Sequence, residues 1–177
     1  KKLDKFTEHT LVHTGQNYDK NLNDIFFKEL SLRVPDIQIK CKANNIQEQI
    51  SKIIKETGDI MDKKKPDAIV ILGDTNSGLS AISAKRKKIP IFHLEAGDRS
   101  FDNNVPEEHN RKIIDHLSDI NLTYTEHSRR NLLNEGIHPS KVFVIGSPIS
   151  EVYSSMKEKF KKSKVLSKLK IKKKKFF

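Results

Sequence analysis

Short apolar runs alternate along this chain with stretches in which apolar residues recur every three or four positions. Ala68-Ile69-Val70-Ile71-Leu72 is an unbroken run of strand length. Such a run suits a parallel strand covered on both faces. Pro90-Ile91-Phe92-His93-Leu94, Ile120-Asn121-Leu122-Thr123-Tyr124 and Val142-Phe143-Val144-Ile145 repeat the theme, with Thr10-Leu11-Val12-His13 and residues 36–39 as shorter candidates. Between them lie helical patterns. One covers residues 21–30, with Ile25, Phe26 and Leu30 on one side. A longer one, capped by Asn44 or Asn45, runs to about Asp62 on a stripe of Ile46, Ile50, Ile53, Ile54 and Ile60, and Pro66 stops it. Further helices are predicted over 76–88, over 106–117 with Pro106 in the first turn, and over 126–135, closed by Gly136. A last one starts at Ser147 or Ser150.

Strands alternating with helices predict βαβ units and a parallel sheet, hence a doubly wound, Rossmann-like α/β domain. No internal repeat interrupts it. Residues 1–156 read as that domain and 157–177 as a Lys-rich connection.

Composition narrows the picture. At 35% hydrophobic and 32% charged residues the chain fits a folded, water-soluble protein. The lone Cys41 excludes an internal disulfide and a multi-cysteine metal site. No apolar run approaches the roughly 18–20 residues of a membrane span, and a cytoplasmic location is expected. The net charge of +11 suggests nucleic acid until it is located. Residues 157–177 hold eleven Lys against Glu158 alone, which leaves 23 basic and 22 acidic side chains over 1–156. A nearly neutral body has no basic face along which to track phosphates, so no nucleic-acid partner is expected.

In an open parallel sheet, ligands bind beyond the carboxyl ends of the strands. Those positions hold Gly73-Asp74-Thr75-Asn76-Ser77, then Glu95, Gly97, Asp98 and Arg99, then Gly146-Ser147-Pro148, while the helix at Pro106 opens with Glu107-Glu108 and continues to Asn110-Arg111. Asp74, Glu95 and Glu107 are expected to share one rim. Each has a plainer reading: Asp74 as a helix cap, Glu107 as an acid favoured by the helix dipole, and Glu95 as half of an ion pair with Arg99 or Arg111. His93, inside a strand, is either packed or functional. There is no G-x-x-x-x-G-K-[ST] or G-x-G-x-x-G segment, so any phosphate must be held by helix N-termini and Arg or Ser groups. No His/Cys/Asp cluster has metal-ligand spacing.

LVHTGQNYD (11–19), ILGDTNS (71–77), HLEAGDRSFD (93–102), VPEEHNRKIIDHLSDI (105–120), TEHSRRNLLNEGI (125–137) and VIGSP (144–148) together resemble the non-hydrolysing UDP-N-acetylglucosamine 2-epimerases. The H-x-E-A-G-x-R and P-E-E-x-N-R pair is the most specific part. The wording is similar to the capsule and O-antigen branch, which acts on fucosamine-type or diacetamido-uronate sugars for surface polysaccharide. The resemblance implies two Rossmann-like domains in a GT-B-like arrangement, with the active site in the cleft between them. This chain resembles most of the first, without the family's opening Gly-Thr-Arg-Pro-Glu strand or its second domain, and is expected to be inactive alone. The implied reaction inverts C2 of a UDP-N-acetylhexosamine by eliminating and re-adding UDP. It needs no redox cofactor or metal, and the full enzyme is expected to be a homodimer. Carried over, Asp74, Glu95 and Glu107 match the essential acids, and Arg99 and Arg111 match arginines that orient them. His93 and Ser147 join these as candidate substrate-binding or orienting residues. Gln16 matches a glutamine of a regulatory nucleotide-sugar site, although Asn17 replaces the usual histidine beside it. The competing readings are an inactive fragment and a glycosyltransferase half-domain of the same architecture.

Overall fold

A computed structural model describes residues 2–15, 27–41 and 43–171. The chain divides into two compact units, Lys1–Gly146 and Ser147–Phe177. In the first, β1 (Val12–His13) pairs in parallel with β2 (Ile37–Gln38). A second parallel sheet contains β3 (Ile69–Leu72), β4 (Ile91–Leu94), β5 (Ile120–Thr123) and β6 (Val142–Val144), in that order. The helices are α1 (Leu3–Phe6), α2 (Ile46–Lys64), α3 (Ser80–Arg86), α4 (Pro106–Leu117) and α5 (Glu126–Asn134). Strand and helix alternate as the sequence predicts. The single sheet it predicts is instead divided: among the described residues no ladder joins β1 to β3. A hydrogen bond between the Thr14 and Ser77 hydroxyls ties the carboxyl end of β1 to the turn after β3. The helix predicted over 21–30 falls largely outside the described residues.

Asn45 caps α2: its side chain accepts from the Glu48 amide at 2.8 Å, while the Glu48 carboxylate accepts from the Asn44 amide at 2.9 Å. This reciprocal arrangement satisfies amides that the first helical turn leaves unpaired. The buried face of α2 is Ile53, Thr57, Gly58 and Met61, whereas Ile46 is exposed. The all-isoleucine stripe is therefore rotated from the true contact line. Thr57 hides its hydroxyl on the Ile53 carbonyl, and Gly58 leaves room for Ser83 of α3 to bond the Ile54 carbonyl at 2.6 Å.

The main core joins Met61, Ala81, Ala84 and Ile114 from three helices to Ile71 and Ile91 of the sheet. All of these helices lie on the Ile71 face of β3. Val70 and Leu72 on the opposite face are 47% and 63% exposed, so β3 is not the doubly covered strand its composition suggests. Residues 76–88 also differ from one long helix. A 3₁₀ turn, Asn76–Leu79, precedes α3, and its Gly78 packs closely against Ile114.

In the second unit, α6 (Ile149–Lys162) begins with Glu151 and ends with Lys159, Lys161 and Lys162, charges that suit its dipole. The rings of Tyr153 and Phe160 lie 5.4 Å apart on it. A short α7 (Val165–Lys168) follows. Phe176 and Phe177 lie outside the described residues. Among the described residues no helix is long and apolar enough to cross a membrane.

Candidate functional site

Strand register builds the rim. Leu72 pairs with Leu94, and Leu94 with Leu122, so three strands end level. Gly73-Asp74, Glu95 and Tyr124 consequently emerge along one edge. Helix α4 brings Arg111 to it. The guanidinium bonds the Asp74 carboxylate through Nη2 and the Glu95 carbonyl through Nη1. Its Nη2 also lies 3.7 Å from Glu95 Oε1, and its Nη1 lies 3.9 Å from Asp98 Oδ2. One nine-tenths-buried arginine thus gathers three acids.

Asp74 is not a cap. Thr75 occupies that position without a side-chain bond, and Asp74 turns to Arg111 instead. Glu95 has φ +67°, a left-handed conformation that costs a non-glycine residue roughly 1–2 kcal/mol. The Arg111 bond to its carbonyl helps hold it there. Its carboxylate is about one-third exposed and opens to solvent. Asp98 accepts a hydrogen bond from the Ser128 hydroxyl. Tyr124 faces the same acids. Burial pushes its phenol above the ordinary value, and the Glu95 and Asp98 charges push the same way, so it keeps its proton.

Two expected members stand elsewhere. Glu107 is exposed in the first turn of α4 and makes no ion pair among the described residues. Its neighbour Glu108 is the inward-facing acid, accepting from the Ser100 amide at 2.8 Å and pairing with Lys112 at 2.9 Å. Burial opposes that charge, but Lys112 and the Ser100 donors outweigh it and bring the Glu108 carboxyl down to about 2. Arg99 orients none of Asp74, Glu95 and Glu107. The chain turns at Gly97 with φ +80°, where a Cβ would strike the Ser128 carbonyl, and Arg99 runs inward. There it meets Asp115 at 2.8 Å and grips Glu135 through Nε and Nη2 at 2.7 and 2.6 Å. Burial works against the Arg99 cation, yet Glu135 and Asp115 hold its proton more firmly than usual.

His93 is fully buried beneath the rim, on Asp115 and the Gly73 carbonyl. Its ring presents no exposed surface to a ligand. Ser147 belongs to the second unit, where its hydroxyl accepts from the Ile149 amide. Gln16 lies outside the described residues. Sequence reasoning passed over Asp115, Glu108, Glu135 and Tyr124. Asp115 was within reach, since it stands one turn after Arg111 on the same helix face. Glu135 carries no local signal.

A carboxylate pair spanned by a cation at the tips of parallel strands can hold and release protons beside a polar ligand. The chain matches the family model described as UDP-N-acetylglucosamine 2-epimerase over residues 1–177. The UDP-N-acetylglucosamine 2-epimerase structure from Rickettsia bellii superimposes with a TM-score of 0.89 at 50% identity, covering 96% of this chain and 46% of that one. That of the Methanocaldococcus jannaschii UDP-GlcNAc 2-epimerase in complex with UDP-GlcNAc and UDP gives 0.87 at 37% identity, covering 94% and 47%. The UDP-2,3-diacetamido-2,3-dideoxy-D-glucuronate 2-epimerase of Pseudomonas aeruginosa is 37% identical over 144 residues, 80% of this chain and 41% of that protein. The chain spans half or less of the length of the curated relatives it matches. It belongs to the UDP-N-acetylglucosamine 2-epimerase family.

Proposed function

We propose that this chain supplies one wall of a site that inverts C2 of a UDP-N-acetylhexosamine. The observation that carries the reading is the Arg111 guanidinium bridging Asp74 and the Glu95 turn at the strand tips. The relatives' activities and the UDP-GlcNAc and UDP bound to one of them support the substrate class.

The C2 hydrogen of such a sugar is not beside a carbonyl and is barely acidic. Its removal becomes feasible when the C1–oxygen bond to UDP breaks in the same event. The C2 proton passes to a carboxylate, the C2–H electron pair forms a C1=C2 double bond, and UDP leaves with the C1–O pair. Adding a proton to the other face of C2 and returning UDP to C1 gives the epimer. Two faces require more than one acid. Glu95 opens to solvent and serves one face. Glu107, exposed on the first turn of α4, is the candidate for the other. Arg111 holds Asp74 in place, and the phenol of Tyr124 is a hydrogen-bond donor beside them. Positioned acid–base groups contribute roughly 10²–10⁴-fold each. A diacetamido-uronate substrate and a homodimer belong to the same proposal.

The test is ¹H NMR of UDP-N-acetylglucosamine incubated with the chain joined to the second half of a relative. The anomeric signal of the manno epimer is expected to grow. Release of free sugar without epimer, or no reaction by the folded protein, contradicts the proposal.

A further inference from the structure

Beneath the rim, Asp115 meets donors on every side. Its oxygens accept from the Gly97 amide at 3.2 and 3.3 Å and from Arg99 Nη1 at 2.8 Å, while His93 Nδ1 lies 2.7 Å from Oδ1. The other ring nitrogen of His93, Nε2, lies 2.9 Å from the Gly73 carbonyl. A carbonyl oxygen only accepts, so Nε2 carries a hydrogen. A neutral ring would then turn the bare lone pair of Nδ1 toward Asp115. Protonating Asp115 instead would place its hydrogen against the Arg99 and Gly97 donors, which need acceptors. The side chains of His93, Asp115 and Arg99 are all fully buried. Arg99 is in turn held by Glu135, with His116 Nε2 3.4 Å beyond it. Two cations against two anions make a balanced set, the condition under which buried charges are tolerated.

We propose that His93 is held as an imidazolium between Asp115 and the Gly73 carbonyl, and that Asp115 and His93 are a positioning pair for the acids above them. Gly73 directly precedes Asp74, and Gly97 follows Glu95 by two residues. By fixing one group on each strand tip, the pair sets the gap that Arg111 spans one helical turn away. The positioning role rests on the function proposed above, whereas the charge state does not.

Long-range ¹H–¹⁵N correlation of the full chain, labelled at histidine, reads the ring directly, with His93→Gln giving the assignment. Both nitrogens of His93 are expected to show imidazolium shifts in the folded chain. The split pattern of a neutral tautomer in the folded chain would overturn the charge assignment. For the positioning role, Asp115→Asn in the protein joined to a relative's second half is expected to lower kcat about 10–100-fold with KM little changed. His93→Gln keeps a donor for the Gly73 carbonyl without the charge. It is expected to lose kcat likewise, and carries this arm if Asp115→Asn does not fold. Unchanged kcat in a folded variant overturns the positioning role. Absence of epimerisation by the unmutated protein would sink the function while leaving the NMR result standing.

Discussion

Arg111 does at this rim what a lysine would not. Its planar fork reaches an aspartate on one strand tip and a carbonyl on the next, and a single ammonium cannot span both. Arg111→Lys is expected to lower kcat/KM roughly 10²-fold, since misplacing reacting groups by about 1 Å costs that much. Thermal unfolding should change far less. Near-normal turnover by a folded Arg111→Lys protein would remove the bridge from the mechanism. The residues that make the bridge were legible in the motifs, because acids after buried strands need partners. The choice between Arg99 and Arg111 was not legible. It depends on the turn at Gly97, which sends one arginine inward and leaves the other to the rim.

At the level of elements, the loop from β4 to α4 is fixed at both ends. Gly97 stands at φ +80° against the Ser128 carbonyl, so Gly97→Ala adds backbone strain of ~1–3 kcal/mol. A lower unfolding midpoint in denaturant is expected, and an unchanged one contradicts the packing described. Glu108 holds the loop through Ser100, with a carboxyl lowered from 4.5 to about 2. A group whose folded value is depressed stabilises the fold above its unfolded value and loses that contribution as pH falls toward the folded one. Stability supplied by Glu108 should therefore be whole above about 4.5 and disappear toward pH 2. Glu108→Gln should flatten the unfolding midpoint over that window, and an unaltered profile would contradict the pairing. Strand and helix order could be read from apolar runs and caps. The exposed face of β3 and the rotated stripe of α2 could not. Both depend on which neighbours cover a surface, and composition does not carry that information.

At the scale of the whole molecule, the chain presents one acidic rim and spans half or less of its curated relatives. An open rim admits water where the proposed elimination of UDP requires its exclusion. The 177-residue chain alone is therefore expected to give no detectable epimer, and the chain joined to a relative's second half to give turnover. Equal rates from the two would place the whole site within this chain. Exchange of the C2 proton by the acids that Arg111 gathers can be followed by ¹H NMR in D₂O. The joined protein is incubated with UDP-N-acetylglucosamine alongside its Glu95→Gln variant. Deuterium is predicted at C2 with the unmutated protein and not with the variant, both being folded. Exchange by the variant at the unmutated rate, or an epimer that keeps its C2 protium, would contradict the account.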